Sequence, residues 1–252
     1  MDTPSPDSDS PASMTPSPRT VDADRGVGWW SDAWALFMRS ALMWVALAVI
    51  FFVGLAVVGM VPVLGSVAGA LLLPAFVGGW MLAARKVQDG GALEVGDLIA
   101  GFQGDRLNPL LVLGVLLLAA MIVIGLVAGM LGLGAVFGMF AGGMHRSTGG
   151  MMAAMGAAMG ALVVALVLGT LVTMALWFAP ALVVFRKSPP LEAVKLSTVA
   201  VLKNALPFLV YGLIYIVASI VASIPLGLGW FVLLPLSLLT AYVSYRDVFE
   251  PL

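Results

Sequence analysis

The chain has 252 residues, 62% of them apolar and 10% charged, with no cysteine and a net charge of −1; an average soluble domain carries about 45–50% apolar and about 25% charged residues. With a mean hydropathy of +1.10, the composition excludes an ordinary water-soluble domain, because one domain of this length cannot hide so much hydrocarbon from water. The near-zero charge excludes a field that attracts nucleic acid, and the missing cysteines exclude disulfides, thiolate catalysis and cysteine metal sites.

Residues 1–27 are rich in Pro, Ser and Thr and acidic at the start. They lack the basic opening of a cleavable signal and read as a disordered cytoplasmic tail, ahead of a transmembrane domain over 28–252. Trp30, Trp34 and Phe37 then recur at helical spacing around Asp32, as in a short helix lying in the membrane interface. Residues 40–84 carry no charge. At about 20 residues per crossing they hold two spans, about 41–61 and 66–84, joined through Val61-Pro62-Val63-Leu64-Gly65, with Pro74 in the second.

A second amphipathic stretch follows, with Glu94 ahead of Leu98 and apolar positions at Val95, Ile99 and Phe102. Beyond it, residues 107–144 and 147–185 are uncharged runs separated by His145-Arg146. Their apolar cores predict spans near 109–131 and 154–178, leaving a Gly/Met-rich connection from 132 to 150, and Pro180 follows the second core. Glu192 precedes Leu196 in a third, weaker amphipathic stretch, where Leu191 and Val194 oppose Lys195. Residues 204–245 are again uncharged. They predict spans 205–224 and 230–245, with the turn Ile224-Pro225-Leu226-Gly227-Leu228-Gly229 between them and Pro235 in the second.

The chain is thus a threefold internal repeat of interfacial helix, span, turn, proline-bearing span and basic stop, the stops being Arg85, Arg186 and Arg246. The expected fold is all-α: a polytopic membrane protein with six transmembrane helices as three parallel helical hairpins, since units of two spans share one orientation. Segments 1–40, 85–106, 186–204 and 246–252 hold every basic residue except Arg146, which places both termini in the cytoplasm of a bacterial inner membrane. Eight spans remain the competitor if each central run folds as a tight hairpin. With no native thiol, Ser147→Cys separates the two: labelling by an impermeant thiol reagent from outside is expected for six spans, and labelling only after permeabilisation overturns them.

Within the spans there is no ionisable residue to mark an ion path or proton relay. Thr170, Thr173, Ser219, Ser223, Ser237, Thr240, Tyr211 and Tyr215 are the polar groups of note, of the kind that bond to backbone one turn back or across helices. Pro74, Pro180 and Pro235 are candidate helix breaks, read either as packing kinks or as the broken helices of a transporter site. Gly65 with Gly69, Gly125 with Gly129 and Gly156 with Gly160 have the spacing that lets helices approach closely. Met144, His145, Met151, Met155 and Met159, with Met139 and Met152 nearby, form a thioether and imidazole cluster suited to Cu(I). The alternative for that cluster is a flexible insertion whose methionines pack adaptably. No catalytic residue and no cofactor is expected, since no His-Glu-x-x-His or Gly-x-Ser-x-Gly pattern occurs.

Several strings resemble an uncharacterised proteobacterial family of multi-pass inner-membrane proteins: Gly28-Trp29-Trp30 with Trp34 and Phe37, Ile99-Ala100-Gly101-Phe102, Pro180-Ala181-Leu182-Val183-Val184-Phe185, Pro225-Leu226-Gly227-Leu228-Gly229 and Tyr245-Arg246-Asp247-Val248-Phe249. The resemblance covers about residues 28–250 and implies a polytopic membrane protein without supplying a reaction or ligand. The Met-rich segment departs from its pattern. The expected role is a non-enzymatic scaffold, assembly or accessory component, whose partners are the bilayer, other membrane proteins or a second copy, with no nucleic acid. The alternative is a small-solute or ion transporter, copper among the ions.

Overall fold

The structure, a computed structural model, describes residues 17–144 and 148–250. Its helices are α1 (Arg25–Met38), α2 (Ala41–Gly59), α3 (Leu64–Gln88), α4 (Leu107–Met144), α5 (Thr148–Trp177), α6 (Ala179–Arg186), α7 (Pro190–Lys203), α8 (Ala205–Ser223) and α9 (Trp230–Phe249), with a 3₁₀ segment over Val95–Phe102. No strand occurs among the described residues. Six stretches are long and apolar enough to cross a membrane: Ala41–Gly59, Leu64–Gln88, Gly104–Gly134, Gly149–Arg186, Ala205–Ser223 and Trp230–Phe249. The protein is an α-helical, multi-pass membrane protein.

The order of elements repeats three times, and the packing turns the repeat into a ring. The short helix of each unit packs on another unit: α1 against α8 and α9, the 95–102 segment against α3, and α7 against α5 and α6. The proline-bearing helices form the centre, with Trp80, Met81, Phe178, Leu182, Leu239, Tyr242 and Tyr245 fully buried. Their partners α2, α4 and α8 present Val53, Leu126 and Val217 outward, as expected where lipid tails are as apolar as the core.

Three expectations are corrected. Residues 17–27 do not belong to a disordered tail. The Arg19 amide donates to Val248 O at 3.1 Å, the Asn204 side chain accepts from the Val21 amide at 2.8 Å and donates to Arg19 O at 3.0 Å, and α1 begins at Arg25. Polar groups at the bundle end thus recruit a sequence whose composition alone favours solvent. Residues 1–16 lie outside the described residues.

The connection 132–150 is helical over most of its length, since α4 continues to Met144 and α5 starts at Thr148. Alanine and methionine sustain the helix, and α4 packs along α5, which offsets the roughly 1 kcal/mol that each glycine costs. Finally, α3 and α9 run unbroken through Pro74 and Pro235. Both prolines are buried against neighbouring helices, whose packing holds the one turn that lacks an amide donor.

Asn204 is 1% exposed, and its Nδ2 also donates to Ala200 O at 2.9 Å. Asn204→Ala removes all three side-chain bonds at once. It is expected to destabilise the protein by about 1–3 kcal/mol and to raise hydrogen exchange over residues 17–24 first; unchanged exchange there would refute the anchoring role.

Candidate functional site

Pro180 marks a true break, between α5 and α6 at Phe178. One pair of backbone groups opened at the break is bridged by another unit. The Phe178 amide donates to Ser197 Oγ at 3.0 Å, and that hydroxyl donates to Met174 O at 2.8 Å. Ser197, on α7, is fully buried, and Trp177 Nε1 reaches Ser244 Oγ at 3.1 Å. The break is therefore bridged across units by Ser197. Nothing in the sequence singled out Ser197; its only signal is that Pro180 requires some partner for the freed groups.

Several other hydroxyls in the spans bond to their own helix. Thr170 donates to Leu166 O at 2.8 Å and Thr173 to Gly169 O at 2.9 Å. Ser219, Ser223, Ser237 and Thr240 bond to carbonyls three or four residues back, and Tyr211 stacks on Trp30 at 5.3 Å. Between α5 and α8 lies an open cleft of about 690 Å³ lined by Thr170, Thr173, Trp177, Tyr211 and Tyr215. Its threonines offer little to a polar solute, because their protons are already given to their own helix.

The far end of α4 and α5 is built differently. Val136, Phe137, Phe140, Met151, Met152, Met155 and Met159 are all exposed, and a Cβ added at Gly125, Gly129, Gly156 or Gly160 would meet nothing within 4 Å. These glycine pairs face outward, while Gly65 lies against Val58 O. The side chains of Met139, Met144 and His145 lie outside the described residues, so of the copper candidates only Met151, Met155 and Met159 are placed. They stand on one helix, with no group of three or more His, Asp or Glu side chains suited to a metal among the described residues.

The opposite end carries the charge. Asp247 on α9 accepts from Arg25 Nε at 2.6 Å and Trp29 Nε1 at 2.9 Å, and pairs with Arg19 at 3.5 Å. Arg25 Nη2 also donates to Asp32 at 2.9 Å. Burial alone lowers the Arg25 pKa, but the hydrogen bonds to Asp247 and Asp32 outweigh it and hold it above the ordinary arginine value. Arg85 donates to Glu250 at 2.5–2.6 Å while its guanidinium lies 3.9 Å from the centre of the Phe185 ring. Arg186 donates to Phe249 O. Arg85 and Arg186, the basic stops of two units, thus converge on the end of the third, and Arg246 stands on that same helix, α9. Beside this network lies a cavity of about 280 Å³ between residue 19, α1, the end of α3 and α9.

A family model described as a domain of unknown function, DUF7847, matches residues 24–247. The chain is also similar to a protein of Burkholderia thailandensis named as a probable inner membrane protein, with 28% identity over 220 residues, covering 82% of this chain and 78% of the relative. No solved structure matches.

Proposed function

Given that the chain belongs to the DUF7847 family, we propose that it is a non-catalytic inner-membrane component that assembles with another membrane protein through the far end of α4 and α5. The observation that carries this reading is a length. α4 has 38 residues, about 57 Å at 1.5 Å per residue, against a hydrocarbon core of about 30 Å. Fitting it inside would need a tilt of about 60°, beyond the roughly 0–40° range of membrane helices. Upright, the helix carries Phe137 and Phe140 past the lipid, where exposed apolar side chains favour a protein surface over water.

The name of the Burkholderia relative supports the inner membrane. Both termini belong to the cytoplasm in this reading, because the bond from Arg19 to Val248 holds the two ends of the described chain together and basic residues are retained inside.

A photoreactive residue at Phe140 tests the proposal in intact cells. A crosslinked species of different mass from a dimer is the expected result. A species of twice the monomer mass, or crosslinking no stronger than from lipid-facing Val163, overturns it. Transport is the second reading, supported by the α5–α8 cleft; saturable uptake into proteoliposomes would favour it, and for copper the uptake should vanish when Met151, Met155 and Met159 are leucine.

A further inference from the structure

The cavity at the charged end is lined by four arginines, Arg19, Arg25, Arg39 and Arg246, and three carboxylates, Asp32, Asp247 and Glu250. Each carboxylate is already engaged: Asp247 by Arg19 and Arg25, Asp32 by Arg25, and Glu250 by Arg85. Two cations are left over. Among the described residues Arg246 makes no ion pair, and Arg39 donates only to the end of α3, to Gln88 O at 3.1 Å and Val87 O at 3.5 Å. A guanidinium has five donors in a planar fork, so both retain unused donors beside a cavity large enough for a phosphate group.

Their positions in the chain matter as much as their charge. Arg39 caps the C-terminal end of α1, two residues before α2 begins, and Arg246 lies in the last turn of α9. Both therefore sit where apolar helices give way to the charged end, at the depth of lipid phosphates. We infer that this cavity is an anion site, in which Arg39 and Arg246 together hold a phosphate-bearing group, either the headgroup of an anionic phospholipid or a soluble phosphate. Bidentate contact with phosphate oxygens is the geometry that arginine serves better than lysine. The paired carboxylates keep Arg19 and Arg25 in place and leave the surplus charge on the other two.

The test uses the full-length protein in nanodiscs of phosphatidylglycerol and phosphatidylcholine, with native mass spectrometry of the lipids it retains. Wild type is expected to retain phosphatidylglycerol in preference to phosphatidylcholine. Arg39→Gln with Arg246→Gln should weaken that retention about 30-fold, the equivalent of about 2 kcal/mol, whereas Lys195→Gln, an exposed cation on α7, should not. If lipid retention is the same in all three while millimolar inorganic phosphate raises the melting midpoint of wild type but not of the double variant, the site stands and its ligand is soluble. Should the glutamine pair not yield monodisperse protein, Arg39→Lys with Arg246→Lys keeps the charge without the fork and should retain an intermediate amount. With no phosphate-dependent shift, the inference is overturned either by equal retention of both lipids by wild type or by a loss of phosphatidylglycerol in the double glutamine variant no greater than that in Lys195→Gln.

Discussion

Gly101→Val is expected to separate the first and second units of the ring and to leave the protein prone to aggregate on extraction. The 95–102 segment lies directly on α3, and a Cβ at Gly101 would stand 1.9 Å from Ala75 O, with the Gly79 amide at 2.8 Å. In return, a Cβ at Gly79 would stand 2.6 Å from Leu98 O. Both obstacles are backbone atoms of packed elements, so no side chain can swing away. Overpacking a well-filled core costs about 1–3 kcal/mol even where side chains can adjust; here whole segments must part, and the loss should lie at or above the top of that range. The check is the thermal midpoint by size-exclusion chromatography in mild detergent, beside Gly125→Val as control, whose added carbons point into open space. Equal midpoints for the two variants would refute the close approach.

That contrast also marks how far the sequence carried the structure. The spacing of charges delivered six apolar helices, and Pro180 announced the break at Phe178, because lipid solubility and a missing amide are properties of a single segment. What a segment meets is another matter. On α1 the apolar spacing of Trp30, Trp34 and Phe37 suggested a helix lying in the membrane interface and did not tell which positions would be covered by protein: Trp29, Ala33, Leu36 and Phe37 are buried, and Trp34 is 48% exposed. In a chain where lipid-facing and protein-facing positions are equally apolar, hydropathy cannot tell the two faces apart.

The glycines show the same blindness. Gly125 with Gly129 and Gly156 with Gly160 have the better spacing, but Gly79 and Gly101, separated by a loop, make the close approach. Ser197, Asn204 and Asp247 are ordinary polar residues until the ring closes and brings each to another unit.

Asp247→Ala should be the most damaging change at the charged end, and its consequences run through all three layers of contact there. The carboxylate is the shared acceptor of Arg25 and Trp29 and pairs with Arg19, and its side chain is 19% exposed. An exposed ion pair contributes only about 0–1 kcal/mol, so the pair with Arg19, itself 45% exposed, adds little. The larger loss comes from the Trp29 indole, on a residue that is fully buried, and from the Arg25 guanidinium, both left without their acceptor on α9; unsatisfied groups of this kind cost about 1–3 kcal/mol. Asp247→Asn keeps an acceptor for Trp29 while removing the charge, so it should recover part of the loss. Thermal midpoints in detergent order the three proteins as wild type, asparagine, alanine. An alanine variant as stable as wild type would mean that α1 is held to α9 by apolar packing alone, through the buried faces of Leu36 and Phe37, and that the charged residues follow the fold without fastening it.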